Sequence, residues 1–490
     1  MLIVIALAII SVRSLGSGET SETASESGSG GEPATTATTT TTLPPFEGWV
    51  DPASFGKPYG TEVDGLIAFR GNPTRSYYGE SEIGDNPAQI WAYPQTGGMC
   101  SQSSTAAETK TWCGTGWTGQ PAAFKRDGKT WVVFGAYDRK VHFVDGTTGA
   151  DILAPFSTGD IIKGSVTIDP DGYPLVYTGS RDNYLRVLAF DGDSVRELWK
   201  LNANAVSPTL WNNDWDGNPL VLDDYLFEGG ENSQIHIIKL NRGYDESGAV
   251  TVNPSLVFNA PGWDSELLGA LGDKQVSIEN SVTIVGNMMY FSNSGGLVQG
   301  WNIEGFKDGK TPERTFRFWS GDDTDATIVA DETGAIYGAS EWERHNSRST
   351  EVGQVFKLDP SQPDPLVWKF DTRKGGKAGV WATPAVTDTH LYVPTHTGEF
   401  MALDRETGAQ IWEKKLPGPL WSSPVVVGDT LIQTDCNGFV HAFDISDPNV
   451  DPPERWSLEL GSCIESTPAV YDGSLYVGTR GGKVFGVKLD

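Results

Sequence analysis

Basic residues are scarce in this chain: 36 Lys and Arg stand against 64 Asp and Glu, a formal net charge of −28. A field of that sign repels polyanions, so nucleic acid is excluded as an expected partner. The acidity itself reads as a solubility device for an extracellular or salty setting. Histidine and cysteine are few. The six histidines, at 142, 236, 345, 390, 396 and 441, show no metal spacing, and a haem-type Cys-x-x-Cys-His is absent. No Gly-x-Ser-x-Gly elbow and no phosphate loop occurs, so motif support for a nucleophilic hydrolase or a nucleotide enzyme is missing.

Apolar runs are short as well. Residues 2–12, LIVIALAIISV, are too few to span a bilayer comfortably and lack a basic segment ahead of them, Arg13 following instead. The reading is a secretory signal or membrane anchor over residues 1–15. No Cys follows this run to accept a lipid. Residues 16–45 are Gly, Ser, Glu and Thr, ending in TTATTTTTLPP. Such a stretch has too little apolar area to bury and predicts a disordered tether. A leader over 46–87 and one large domain over 88–490 complete the expected organisation.

What the chain has in abundance is glycine, 58 residues, and tryptophan, 17, the composition of an all-β repeat protein with many turns. Residues 383–412, TPAVTDTHLYVPTHTGEFMALDRETGAQIW, contain three short strands and the opening of a fourth, separated by turns such as Thr397-Gly398 and Thr407-Gly408. One such sheet is too small to stand alone and must stack on copies. The starting marker is a small or hydroxyl residue followed by Pro or a small apolar residue. It recurs at Gln120-Pro121, Ser165-Val166, Ser207-Pro208, Ser281-Val282, Asp325-Ala326, Thr383-Pro384, Ser423-Pro424 and Thr467-Pro468. Eight units at spacings of roughly 40–75 residues predict an eight-bladed β-propeller of four-stranded antiparallel blades. The last unit stops one strand short at Asp490, and Gln89-Ile90-Trp91-Ala92-Tyr93 carries the pattern of an outer strand far upstream. Donating that strand to the last blade closes the ring and removes a sheet edge.

Ala402-x-Asp404-x-x-x-Gly408-x-x-x-Trp412 resembles the tryptophan-docking motif of the pyrroloquinoline quinone (PQQ) repeat. The closing run from Ser466 to Val484 looks like the same repeat, and Phe69-Arg70-Gly71-Asn72-Pro73-Thr74-Arg75 resembles the leader ahead of the first blade in these proteins. The resemblance covers about residues 65–490 and implies structural docking roles for Ala402, Asp404, Gly408 and Trp412. The superfamily divides into quinoprotein dehydrogenases, which bind PQQ and calcium, and propellers without cofactor, such as the outer-membrane assembly lipoprotein. Fold alone does not choose between them. The chain departs from the dehydrogenases in having no two adjacent cysteines.

Blade register places all four cysteines on one face: Cys100 and Cys113 in the connection entering blade 1, Cys436 in the middle hairpin of blade 7, and Cys463 in the connection entering blade 8. Of three pairings, neighbouring blades favour Cys436–Cys463, leaving Cys100–Cys113, and an oxidising compartment follows. Three long excursions, 94–118, 261–279 and 340–353, are assigned to the same face, which marks it as a recognition surface. Residues just before each innermost strand should ring the axial mouth there: Thr118, Lys163, Ala205, Glu279, Asp323, Trp381, Trp421 and Glu465. Lys163, Glu279, Asn280, Asp323, Trp381, Trp421 and Glu465 are the candidate ligand-binding residues, with two indoles to stack on a ligand and carboxylates to fix a polar or cationic group. Glu279, Asp323 and Asp325 are the candidate metal ligands, as hard oxygens suited to calcium. The expected function is a binding or assembly scaffold at the cell surface, exported and monomeric, N-terminally tethered, with a protein or small-molecule partner. The alternative is a PQQ- and calcium-dependent alcohol or sugar dehydrogenase.

Overall fold

The computed structural model describes residues 46–104, 109–116, 119–373 and 379–490. The expected signal segment, the tether and Thr118 lie outside the described residues.

Each repeat folds into a four-stranded antiparallel sheet because short apolar strands alternate with turns that glycine or Asx chemistry can close. In blade 6 the strands are Ala385–Val386, His390–Pro394, Glu399–Asp404 and Gln410–Lys415. The two strands nearest the axis are buried throughout, whereas Gln410–Lys415 on the outside buries only Trp412 and is exposed at both ends. At the hairpin tip Gly398 holds φ +95°, and a Cβ there would lie 2.7 Å from the Gly418 carbonyl oxygen. Only glycine closes that turn without strain. Eight such sheets follow one another, and the eighth is completed by Ala88–Tyr93, which pairs antiparallel with Lys483–Lys488. The closing strand foreseen at 90–93 is therefore the outer strand of blade 8.

The recurrent hydroxyl marker has a physical role. The backbone N–H of one blade's marker donates to the marker side chain of the next: Gln120 to Ser165 Oγ at 2.9 Å, Ser281 to Thr327 Oγ1 at 3.0 Å, Thr327 to Thr383 Oγ1 at 2.9 Å, and Thr383 to Ser423 Oγ at 3.0 Å. This stitching circles the axis and satisfies backbone donors that would otherwise be buried unpaired. It also corrects two assignments. The marker of blade 3 is Asn218, whose N–H reaches Ser281 Oγ at 3.0 Å, and not Ser207. The marker of blade 5 is Thr327 and not Asp325. The first strand of blade 3 is accordingly Leu220–Leu222 and that of blade 5 Val329–Ala330.

Blades join through indoles. Trp368 of blade 5 sits on the turn of blade 6, where a Cβ on Gly408 would lie 2.6 Å from its ring, and its Nε1 donates to the Arg405 carbonyl at 3.0 Å. Asp404 Oδ1 holds that turn by accepting from the N–H groups of Glu406 (3.1 Å) and Thr407 (2.8 Å). Trp412 repeats the arrangement toward blade 7, donating to the Pro448 carbonyl at 3.2 Å, while its ring packs on Tyr392 and Phe400. Ala402 pairs with Trp412 across the sheet and is fully buried.

The leader threads the axis. Gly65–Leu66 extends blade 1 and Gly79–Glu80 adds to blade 8. Between them Arg70 and Arg75 are fully buried. Arg70 donates to the carbonyls of Pro384 and Pro424, both at 2.7 Å, and stacks 4.4 Å from the Tyr78 ring. Arg75 donates to the Val282 carbonyl at 2.9 Å and to Asn218 Oδ1 at 2.7 Å. The end of the channel opposite the cysteines is thereby filled. Long connections occupy both faces: the outer hairpin Gly243–Tyr244 with Val250–Thr251 in blade 3 lies opposite the cysteines, so the excursions are not confined to one end.

Candidate functional site

The site is built where the connections into each innermost strand converge on the cysteine face. With the corrected markers, the ring two residues ahead reads Lys163, Asp216, Glu279, Asp325, Trp381, Trp421 and Glu465. Ala205 belongs instead to the short turn Ala203–Ala205. Asp323 stands one step further out.

One side of the mouth is neutralised. Asp214, Asp216 and Glu231 converge with their ligand oxygens within 4.8 Å of one another, all three buried. The Lys163 ammonium lies among them, 3.3 Å from Asp214, 3.0 Å from Glu231 and in direct contact with Asp216. Arg181 Nε adds a contact to Asp214 at 3.1 Å, and Asn212 donates to Glu231 at 2.5 Å. Burial alone would discharge the lysine, but Asp216, Glu231 and Asp214 outweigh it and hold it charged. On the same side Arg480 pairs with Glu465 at 3.4 Å and lies 4.7 Å over the Tyr137 ring. The hairpin Cys100–Ser104 with Thr109–Cys113, tied by the Cys100–Cys113 disulfide, covers this side. Cys436 is bonded to Cys463 beside Glu465. Both pairings are those expected.

The other side keeps its carboxylates close together. Glu279 Oε1 accepts from Ser277 Oγ at 2.5 Å and Ser294 Oγ at 3.1 Å. Glu341 is 4% exposed and contacts Asp325 carboxyl to carboxyl. Asp323 and Asp325 are half-buried, each with one carboxyl oxygen that meets no donor among the described residues. Burial first, and then repulsion from neighbouring carboxylates, pushes Asp323, Asp325 and Glu279 above the ordinary carboxylate range, the repelling group for Glu279 being Glu231 across the mouth, with Lys163 opposing; burial pushes Glu341 the same way. Arg344 is the cation whose charge reaches Asp323, yet its guanidinium is tied to Asp273 at 2.9 Å, the Gln275 carbonyl at 2.7 Å and the Ser294 carbonyl at 3.0 Å. These bonds join the excursion with helix α1 (Ser265–Leu271) to the one with α2 (Ser347–Val352). Asp322 Oδ1 pins the second excursion by accepting from the N–H groups of Glu343 (3.0 Å) and Arg344 (2.9 Å).

Trp381 and Trp421 complete this wall. Their rings stack with centroids 4.9 Å apart and 23° between planes, and Trp421 Nε1 donates to His396 Nδ1 at 2.6 Å. A cavity of about 270 Å³ lies between the indoles and the carboxylates Asp323, Asp325, Glu341, Glu343 and Glu465. A second, of about 430 Å³, adjoins it past Glu341 and Trp381. Asn280 sits beneath, its amide donating to Ser292 Oγ at 2.8 Å and the Thr324 carbonyl at 2.8 Å while accepting from the Ser292 N–H at 3.1 Å. As placed, it clamps blades 4 and 5 and does not point a free oxygen upward.

Among the described residues three metal-type ligand atoms converge at Asp214, Asp216 and Glu231, where Lys163 already lies, and at Cys436, Cys463 and Glu465, where both sulfurs are in a disulfide. Glu279, Asp323 and Asp325 belong to neither group; they line a wall. The fit to PQQ is also poor. That quinone is a tricarboxylate and needs a flat slot, whereas here the two indoles face each other and the opposite wall is acidic. The disulfides join residues 13 and 27 apart in sequence. Sequence reasoning missed Asp214, Asp216, Glu231 and Glu341; of these, only Asp216 had a signal, its place two residues before Asn218.

Residues 352–490 match the family described as outer membrane protein assembly factor BamB. Over 90 residues the chain is 34% identical to quinoprotein alcohol dehydrogenase PedE of Pseudomonas putida, covering 18% of this chain and 14% of that enzyme. Over 69 residues it is 36% identical to outer membrane protein assembly factor BamB of Xanthomonas campestris pv. campestris, covering 14% of this chain and 17% of that protein. The matched stretches therefore span less than a fifth of either relative. Among solved structures, a europium-containing methanol dehydrogenase superposes with a TM-score of 0.58 over 87% of this chain and 98% of that one, at 12% identity. That likeness is one of fold.

Proposed function

Because the chain is a β-propeller of the PQQ-repeat superfamily, we propose that it works by binding, as an exported scaffold or receptor whose ligand or protein partner docks in the mouth on the cysteine face. The observation that carries this reading is the shape and charge of the cup. Arg70, Arg75 and Phe69 fill the axis below it, so the mouth is blind. Its walls are a stacked indole pair and a set of acids, a combination that gives contact area and fixes a polar group. Two disulfides favour an oxidising compartment, and among the described residues no helix is long and apolar enough to cross a membrane.

The competing reading is a PQQ- and calcium-dependent alcohol or sugar dehydrogenase, favoured by the PedE match. The test is incubation with PQQ and CaCl2, desalting, an absorbance spectrum and dye-linked oxidation of ethanol and glucose. Loss of the quinone on desalting and no turnover is the expected result. Retained quinone absorbance together with dye reduction would falsify the binding reading.

A further inference from the structure

We propose that the open side of the mouth binds a primary alkylammonium group, its nitrogen among Asp323, Asp325 and Glu341 and its carbon stem against Trp381 and Trp421. The inference rests on the binding reading above and names the chemistry of its ligand.

The protein supplies its own precedent. On the neighbouring side three buried acids are occupied by the ammonium of Lys163, at hydrogen-bond and ion-pair distance from each. The open side repeats the acids, and among the described residues no ammonium lies in contact with them, although the Lys163 charge reaches Glu279 and Asp325 from the neighbouring side. Glu341 is 4% exposed and borders both cavities, and its carboxyl meets that of Asp325. One oxygen each of Asp323 and Asp325 is buried without a donor among the described residues. Asp323, Asp325 and Glu341 line one cavity, and carboxyls gathered there suit a ligand with several N–H donors and a positive charge; a primary ammonium carries three. Burial strengthens each such bond relative to water.

The aromatic wall argues for a stem behind the charge. A hydrated metal ion has no use for the stacked indoles, whereas a cation within about 6 Å of an indole face is attracted by its quadrupole, and methylene groups gain contact area on it. A cavity of about 270 Å³ suits a short aliphatic amine and lies just under the range of roughly 300–1,000 Å³ usual for larger ligands. The group has two natural sources, a free amine or a lysine side chain presented by a partner protein.

The test is titration by calorimetry and by saturation-transfer NMR with n-butylammonium, tetramethylammonium, n-butanol, Nα-acetyl-lysine amide and CaCl2, at fixed ionic strength. n-Butylammonium is expected to bind, tetramethylammonium at least fivefold more weakly, and n-butanol not measurably. D325N/E341Q should weaken n-butylammonium at least tenfold and W381A/W421A several-fold, with D193N on an exposed turn as the unchanged control. Should D325N/E341Q fold poorly, D323N alone and W421F serve, each read beside a melting curve. Tighter binding of Nα-acetyl-lysine amide than of n-butylammonium assigns the site to a partner's lysine; the reverse assigns it to a free amine. Equal binding of n-butanol, indifference to D325N/E341Q, or calcium binding that excludes the amine overturns the proposal. A partner captured on this face without amine binding removes this inference and leaves the binding reading; quinone-dependent turnover removes both.

Discussion

The two sides of the mouth are made of the same material and end in different states. Across blades 2 and 3, Asp214, Asp216 and Glu231 surround Lys163, and Arg181 adds a second cation. Across blades 4 and 5, Glu279, Asp323, Asp325 and Glu341 gather beside Arg344, already engaged elsewhere, and the Lys163 charge reaches Glu279 and Asp325 only from the neighbouring side. Acids buried around a matching cation are tied down, and removing either partner leaves a costly charge. Acids gathered without one remain protonated or wait for a cation from solution. One side is therefore a structural lock and the other is the proposed receptor; Lys163 touches the acids of the first and reaches Glu279 and Asp325 of the second only from a distance.

The largest effect should come from removing that lysine. Lys163→Met is expected to destabilise the fold by about 3–5 kcal/mol in denaturant titration, with partial recovery in K163M/D216N. A neutral result would mean that the two sides do not differ. Trp412→Ala supplies a yardstick away from the mouth, about 3–5 kcal/mol for a cavity between blades. The open side should respond in the opposite sense. D323N/D325N is expected to stabilise the unliganded protein by about 1 kcal/mol at pH 8, a modest figure because both groups are half-buried.

Both sides set a pH dependence of one sign, since burial also raises Asp214 and Asp216 beside Lys163. Folded-state values raised above the unfolded carboxyl range of about 4 mean that the native state binds more protons than the unfolded one. Their contribution is fully present below that range and is lost as pH rises through the folded values. Stability at pH 8 should thus fall below that at pH 5.5, and the difference should shrink in D323N/D325N/E341Q. Glu399 and Asp264, both held near 2 by their partners against burial, work the other way, and only at pH below about 4.5. The smallest effect belongs to W381A/W421A, about 1 kcal/mol for a half-exposed stacked pair. A loss as large as that of Trp412 would make these indoles part of the core and not of the receptor.

The ring was readable because its rules are local. A hydroxyl marker in six of the eight blades and an Asp-x-x-x-Gly turn with its tryptophan are short motifs whose partners are copies of themselves. Blade 3 misled because the 203–219 connection carries Ser207-Pro208, which mimics the marker, while the real marker is Asn218. Asp216 was lost with it. The Lys163 lock was unreadable for another reason: its members come from the connections into blades 2 and 3 and from a hairpin of blade 3, and nothing in their spacing brings them together. The arginines of the leader motif could be seen, but their place in the axis depends on a ring that must exist first.

That dependence governs how the chain can be made. Arg70 finds its acceptors 314 and 354 residues downstream, and the outer strand at Ala88–Tyr93 finds its neighbour at Lys483–Lys488. At a synthesis rate of about 5–20 residues per second, roughly 20–80 s separate the emergence of Trp91 from that of Phe485. For that interval the strand Ala88–Tyr93 has no sheet neighbour, although Trp91 and Tyr93 can already reach blade 1 at Gly146 and His142, and pairings of such sequence separation are slow even once both ends exist. Blades 1 to 7 can assemble behind the growing chain end. The outer edge of the final blade closes last, once Lys483–Lys488 is made, and until then the nascent protein depends on whatever shields an open sheet edge.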